Sequence, residues 1–146
     1  MLAVFEWRNG FMIKVTALNP ETLGAPQGTY SRAMRVQASE FLFIAGMAAS
    51  ASDGTVVAAN DFDGQCRQAF ANIEAALHAA GAGWGNVVQF TSYLVDRADI
   101  PKFSIWRKHH FPAMFPNQAY PPNALLIVNG LAHSDYRVEI QAIAAL

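Results

Sequence analysis

Charged residues are scarce in this chain. Ten Lys and Arg together with eleven Asp and Glu make up 14% of its 146 residues, against about 25% in an average globular protein. The formal net charge of −1 offers no field that would attract nucleic acid or an anionic membrane surface. Hydrophobic residues make up 53% of the chain. We therefore expect another subunit to cover part of the surface.

Cysteine and long hydrophobic runs are also lacking. The single cysteine, Cys66, excludes a disulfide within the chain and any multi-cysteine metal site, which favours a reducing compartment. Glu6 and Arg8 interrupt the apolar N-terminus, so it does not have the pattern of a signal peptide. No segment approaches the ~20 apolar residues of a membrane span. We expect one cytoplasmic domain that does not enter a membrane.

Two helices are predicted. Apolar residues recur at helical spacing over Gln65–Ala80, and Gly81 follows as a natural C-cap. A second helix is predicted to begin at Asp99 and to end at Pro112 and Pro116.

Six strands surround these helices, so the predicted fold class is α+β. They are predicted at Ile13–Ala17, Ala33–Gln37, Phe41–Met47, Val87–Val95, Ala124–Val128 and Arg137–Ala144. The second and third are predicted to form a hairpin. Two helices can cover only one face of a sheet, yet Phe41–Ile44 and Leu125–Val128 are apolar on both faces. A symmetric copy of the chain is the economical cover for the other face.

Patterns for metal binding and nucleophilic catalysis are weak. His109 and His110 are consecutive and would point to different sides of a helix, whereas helical metal ligands favour i, i+4 spacing. Cys66 lies on the apolar stripe of its helix, which favours an inert buried thiol. Glu139 lies in a predicted strand and faces either solvent or a cleft between subunits, and its residue pattern alone favours solvent.

Four segments in register resemble one known family. They are GTYSRAMRV (28–36), LFIAG (42–46), QAFANIEAALHAAGAGWGNVVQFTSYLVD (68–96), and PPNALLIVNGL followed by YRVEIQAIA. In order and spacing they are similar to the Rid family of imine and enamine deaminases, also called YjgF-like or L-PSP endoribonuclease-like proteins. The resemblance covers residues 12–146, which we interpret as a Rid-like domain that follows an N-terminal extension at residues 1–11.

The resemblance implies a chorismate-mutase-like fold, in which a six-stranded mixed sheet carries two helices on one face. It also implies assembly as a homotrimer with ligand clefts between subunits. The implied reaction is the hydrolysis of enamines and imines such as 2-aminoacrylate to 2-keto acids and ammonia, without a metal or an organic cofactor. The expected partners are then other copies of the chain and a small molecule.

The resemblance carries individual site residues onto this chain. Tyr30 matches the family's cleft tyrosine, Gly46 its strand-end glycine, and Glu139 the glutamate that positions the attacking water. Asn123 stands where deaminating members carry the arginine that binds the substrate carboxylate. Three further substrate-binding positions depart from the family pattern: Ala45 replaces a serine, Met47 a glutamine and Leu125 a cysteine.

Asn123 argues against ordinary 2-imino-acid deamination. A guanidinium holds a carboxylate through two charge-assisted hydrogen bonds, whereas asparagine offers only neutral ones. We expect a hydrolase of a small imine, enamine or amide-like metabolite, with Glu139 and Asn123 as its catalytic residues. The alternatives are a non-catalytic small-metabolite sensor that uses the same cleft, and an endoribonuclease or translation inhibitor, which the neutral charge balance disfavours.

Overall fold

The computed structural model describes residues 12–146 and the backbone of residues 2–4. The predicted extension at residues 1–11 lies outside the described residues, apart from one short strand at residues 2–4, and the domain boundary stays a prediction. The strands are β1 (Leu2–Val4), β2 (Lys14–Leu18), β3 (Ala33–Gln37), β4 (Phe41–Met47), β5 (Val87–Leu94), β6 (Asn123–Ile127) and β7 (Val138–Ala145). The α-helices are α1 (Phe62–Ala79) and α2 (Ile100–Met114).

The strands form two sheets, which differs from the predicted single six-stranded sheet. All six predicted strands are present, and their observed ends lie within one residue of the predicted ones. One sheet has the order β1-β2-β3, and the other has the order β4-β7-β5-β6. In the four-stranded sheet β5 and β6 are parallel, while β7 is antiparallel to both β4 and β5. The fold is therefore α+β with a mixed sheet.

The predicted hairpin between the second and third predicted strands is wrong. β3 pairs with β2, and β4 pairs with β7 at the far end of the chain. The chain changes sheets at Ser39 and Glu40, whose backbone N–H groups donate to the Leu146 carbonyl at 3.2 and 3.1 Å. β7 offers β4 a longer and more buried partner, because β7 has eight residues with buried positions at every second residue from Val138 to Ala144, whereas β3 has five residues and none of them is buried.

Both helices pack on the same face of the four-stranded sheet. The buried positions of α1 recur at i, i+3 and i+4 spacing: Phe62, Cys66, Ala69, Phe70, Ile73 and Leu77. They pack with Phe90 and Ile140 of the sheet and with Trp106 of α2. The Phe70 ring stacks on Trp106 with the centroids 4.6 Å apart. This aromatic cluster joins the two helices to each other.

The helix ends follow local chemistry. After α1, Gly81 adopts φ 68°, and the Gly81 and Ala82 N–H groups donate to the carbonyls of His78 and Leu77 at 2.9 and 2.8 Å, a Schellman cap. α2 ends at Met114, between the two prolines that were predicted to end it, and so continues two residues past Pro112. The helix tolerates Pro112 because this residue lies in the last turn, where the missing N–H removes only one backbone hydrogen bond before the helix ends.

The described residues leave much of the other face of the four-stranded sheet uncovered. The three-stranded sheet covers one end of it, where Val15 packs with Val88 and Ala145. Beyond that contact Phe43 is 75% exposed and Phe41 48% exposed. We call this surface the open face. No helix in the described part of the chain is both long and apolar enough to cross a membrane.

Candidate functional site

Glu139 lies near the start of β7, on the open face. It pairs in register with Tyr93 of β5, and its side chain lies directly over the backbone of Gly46. A Cβ placed on Gly46 would stand 2.7 Å from the Glu139 carboxyl carbon and still closer to Oε1. The β4–β7 register shifts between Ile44 and Met47, so Gly46 lies in a bulge. Only glycine at position 46 leaves room for the carboxylate where it is.

The predicted binding positions 45 and 47 flank this contact. Ala45 is exposed, while Met47 pairs with Ile140 and packs partly buried against the core. Neither side chain offers a hydrogen-bond donor or a charge. The polar chemistry at this end of β4 therefore comes from the Glu139 carboxylate and the backbone.

Asn123 begins β6 on the helix-covered face of the sheet. Its Oδ1 accepts a hydrogen bond of 2.7 Å from Ser92 Oγ, and Ser92 is buried at 1% exposure. Leu125, two residues further along β6, packs half-buried against the core. Ser92 was not predicted as a site residue. The sequence indicates only that it takes an inward-facing position in a strand whose residues alternate between buried and less buried.

Glu139 and Asn123 do not meet within one chain, because β5 lies between their strands. Asn123 pairs with Phe90, whereas Glu139 pairs with Tyr93, three residues further along β5. Successive side chains of a strand point to opposite faces, so Phe90 and Tyr93, and with them Asn123 and Glu139, face opposite sides. Within one chain, therefore, the two side chains do not line the same side of the sheet.

Tyr30 lies half-buried in the loop before β3, and the residue before it, Thr29, contacts Arg107 of α2. Arg107 is only 7% exposed, and its Nη2 donates to the carbonyl of Thr29. Its guanidinium carbon lies 4.7 Å from the Phe111 ring centroid and 5.5 Å from that of Phe103. Burial lowers the pKa of Arg107 to about 10. The side chain is therefore still charged at neutral pH.

Arg107 was not among the predicted site residues, although its sequence pattern indicates that it is buried. Phe103, Arg107 and Phe111 recur every four residues, so they share one face of a helix. Because Phe103 and Phe111 are buried aromatic residues, this spacing predicts that Arg107 between them also faces the protein interior. Burying the Arg107 charge costs free energy unless another group compensates it.

A polar network fixes the start of β7, two residues before Glu139. Arg137 donates to the buried carboxylate of Asp99 through Nε at 3.1 Å and through Nη2 at 2.6 and 2.8 Å. Lys102 Nζ lies 2.9 Å from the same carboxylate. Gln65 of α1 accepts the Arg137 backbone N–H at 2.8 Å. The strand that carries Glu139 is thus tied to both helices.

Cys66 has no chemical role at this site. It is fully buried in α1, and burial, with a further contribution from the Asp63 charge, raises the pKa of its thiol well above the ordinary value. Among residues 12–146 no group of three or more His, Cys, Asp and Glu side chains could hold a metal ion. His110 instead stacks on Trp106, with the centroids 4.1 Å apart.

Known proteins share both the sequence and the fold. Residues 13–146 match the family model described as Endoribonuclease L-PSP. A RutC family protein of Pyrococcus horikoshii is 33% identical over 124 residues, which are 85% of this chain and 92% of that protein.

Two solved structures are similar over most of their length. The Rid-family protein YyfB of Yersinia pestis, described as of unknown function, has a TM-score of 0.79 and 28% identity, with 90% of this chain and 98% of that chain covered. TdcF of Escherichia coli, solved with bound serine, has a TM-score of 0.64 and 26% identity, with 77% of this chain and 87% of that chain covered.

Proposed function

Because this chain belongs to the Endoribonuclease L-PSP family, which includes the Rid and YjgF-like proteins, we propose that it hydrolyses a small imine, enamine or amide-like metabolite. The observation that carries this proposal is the Glu139 carboxylate, which lies over Gly46 at the β4 bulge. The bare backbone of Gly46 closes one side of that carboxylate. A water molecule and a ligand can then approach it only from the open face.

In the proposed reaction Glu139 orients a water molecule and accepts its proton as the oxygen adds to the imine carbon. Glu139 returns this proton to the nitrogen, which gives a carbinolamine. The hydroxyl proton then passes through Glu139 to the nitrogen as the carbon–nitrogen bond breaks, so ammonia leaves and a carbonyl remains. A positioned general base contributes roughly 10²–10⁴-fold to such a step. Asn123 binds a polar group of the substrate through its amide. No metal or organic cofactor takes part in this proposal.

We propose that the cleft lies between subunits of a homotrimer. Two observations support this: Glu139 and Asn123 face opposite sides of the sheet, and the open face exposes Phe41 and Phe43. A stable interface buries roughly 800 Å² of each partner, and exposed aromatic residues on this face favour its burial against another subunit. The serine bound to TdcF supports a ligand of amino-acid size. A cytoplasmic location belongs to the same proposal.

The test is ammonia release from 2-aminoacrylate and from a panel of small imines, measured with purified wild type and with Glu139→Gln. We expect hydrolysis of at least one compound above the buffer rate, and a loss of about 100-fold or more in Glu139→Gln. Glu40→Gln is the matched control, since Glu40 is an exposed glutamate at the start of the adjacent strand. Equal rates in wild type and Glu139→Gln would refute the proposal, and so would the absence of turnover on the whole panel.

A non-catalytic metabolite sensor is the second candidate. The apolar side chains of Ala45 and Met47 beside Glu139 favour it, because they leave few groups to stabilise a developing charge. This candidate predicts that a compound from the panel binds without being consumed. An endoribonuclease has less support, because the net charge of −1 provides little attraction for RNA phosphates. Salt-sensitive RNA binding by the purified protein would revive it.

A further inference from the structure

Two cations and two uncharged polar groups share one face of the three-stranded sheet. The antiparallel register of β2 and β3 pairs Lys14 with Gln37. It also pairs Thr16 with Arg35. Because side chains alternate along a strand, these four project to one side, away from Val15, which packs against the four-stranded sheet. Opposite positions in such a ladder lie about 5 Å apart and diagonal ones about 7–8 Å apart, so one small ligand can reach all four side chains.

A cavity of about 300 Å³ lies at these residues, and its lining comes from both strands: Lys14, Thr16, Arg35, Val36 and Gln37. We call it the β2–β3 cavity. The hydroxyl oxygen of Thr16 is buried and has no hydrogen-bond partner in the described part of the chain. Buried polar atoms in proteins are nearly always paired. A polar ligand in the cavity would supply the partner that this hydroxyl lacks.

The positive charge of the β2–β3 cavity is not balanced by the described residues. Lys14 and Arg35 are exposed, and neither belongs to an ion pair within residues 12–146. Neither β2 nor β3 contains an acidic residue. The two cations occupy diagonal positions of one ladder, so they repel each other. An anion between them would be attracted by both.

We propose that the β2–β3 cavity binds the phosphate group of a small soluble molecule. A phosphate monoester carries a charge of about −1.5 to −2 at pH 7, which matches the two cations. Its oxygens accept charge-assisted hydrogen bonds from the ammonium and guanidinium groups, and further bonds from the Gln37 amide and the Thr16 hydroxyl. A carboxylate has less charge and fewer oxygens. The cavity faces away from the four-stranded sheet that carries Glu139, so this site is separate from the proposed reaction.

The first test compares ligands on wild-type protein by isothermal titration calorimetry at pH 7 and low ionic strength. The probes are glycerol 3-phosphate, glycerate and glycerol. We expect glycerol 3-phosphate to bind at least about tenfold more tightly than glycerate, and glycerol not to bind. Equal affinity for glycerate would overturn the assignment of a phosphate. Cosedimentation with vesicles that contain phosphatidic acid, without binding of glycerol 3-phosphate, would contradict a soluble ligand, and no binding in either assay would overturn the site.

The second test assigns the binding to the cavity. Lys14→Gln and Arg35→Gln each remove one charge-assisted hydrogen bond, and we expect each to bind glycerol 3-phosphate about tenfold more weakly than wild type. Arg97→Gln is the matched control, since Arg97 is exposed and also lies outside the ion pairs of the described residues. Unchanged affinity in both cavity variants would contradict the site, and so would an equal loss in Arg97→Gln.

The third test concerns the unpaired hydroxyl. Thr16→Val replaces it by a methyl group of similar shape, so we expect severalfold weaker binding of glycerol 3-phosphate. The melting temperature of the ligand-free protein should stay the same or rise, because a buried unpaired hydroxyl is lost. A lower melting temperature with unchanged affinity would show that the hydroxyl is paired within the protein. None of these assays involves hydrolysis, so an inactive protein that binds glycerol 3-phosphate would contradict only the proposed reaction.

Discussion

Gly46 and Glu139 share one small space at the β4 bulge, so a methyl group at position 46 must displace the carboxylate. For Gly46→Ala we expect the free energy of unfolding to fall by about 1–3 kcal/mol, as for other overpacked sites, and hydrolysis to fall with the loss of Glu139 placement. Urea denaturation and the ammonia assay measure the two effects.

Two further variants test this explanation of the Gly46→Ala effect. In the double variant Gly46→Ala/Glu139→Ala the clash is absent. The double variant should therefore lose less free energy of unfolding than the two single variants lose together. Gly130→Ala is the control, because a Cβ at Gly130 meets nothing within 4 Å. Strict additivity in the double variant would show that Glu139 is not the obstacle.

Cys66 is expected to be unreactive in the native protein. Burial holds its thiol protonated, and the thiolate is the reactive form. Ellman's reagent at pH 8 should label none of the native chain and one thiol per chain in urea. Because the folded-state pKa lies above the ordinary value of 9.0, the stabilising contribution is complete below that pH and is lost as rising pH ionises the unfolded chain. Native labelling at the unfolded rate would contradict this burial.

The elements were predictable where their signals are local. The apolar repeat of α1 and the glycine that caps it are visible in the sequence, and the strands stand out by their apolar and β-branched content. The partner of β4 was not predictable, because pairing with β7 joins residues about a hundred positions apart and a hairpin pattern says nothing of distant competitors. Glu139 and Gly46 were predicted as site residues from the resemblance to a family, and the structure adds the contact between them. Ser92 and Arg107 belong to no sequence motif, and their contacts with Asn123 and Thr29 are visible only in the structure.

The network at Asp99 is expected to hold α2 and β7 together. Asp99 is fully buried and accepts from Arg137 and Lys102, so Asp99→Ala leaves two cations without their shared partner. We expect a loss of stability on the order of 3 kcal/mol. Asp63→Ala is the control, since Asp63 forms an exposed pair with Arg67 and should cost less than about 1 kcal/mol. Thermal unfolding ranks the two variants, and equal losses would contradict the role of the network.

On the scale of the whole molecule, the described residues expose large apolar side chains on both sides of the four-stranded sheet. Phe43, 75% exposed, lies on the open face, while Ile105, 57% exposed, lies on α2. We favour the open face for the proposed interface between subunits, because it is a sheet surface that exposes both Phe43 and Phe41. We expect wild type to sediment as three chains of 15.9 kDa, and Ile105→Glu to behave likewise.

Phe43→Glu should convert the assembly to a folded monomer, because each interface would have to bury a carboxylate without a partner. Analytical ultracentrifugation measures the mass, and circular dichroism reports the fold. Hydrolysis should be lost with the assembly, since one chain directs Glu139 and Asn123 to opposite sides of its sheet and cannot place both on one substrate. A monomeric Phe43→Glu that hydrolyses as fast as wild type would place the site within a single chain and would rule out a cleft shared between subunits.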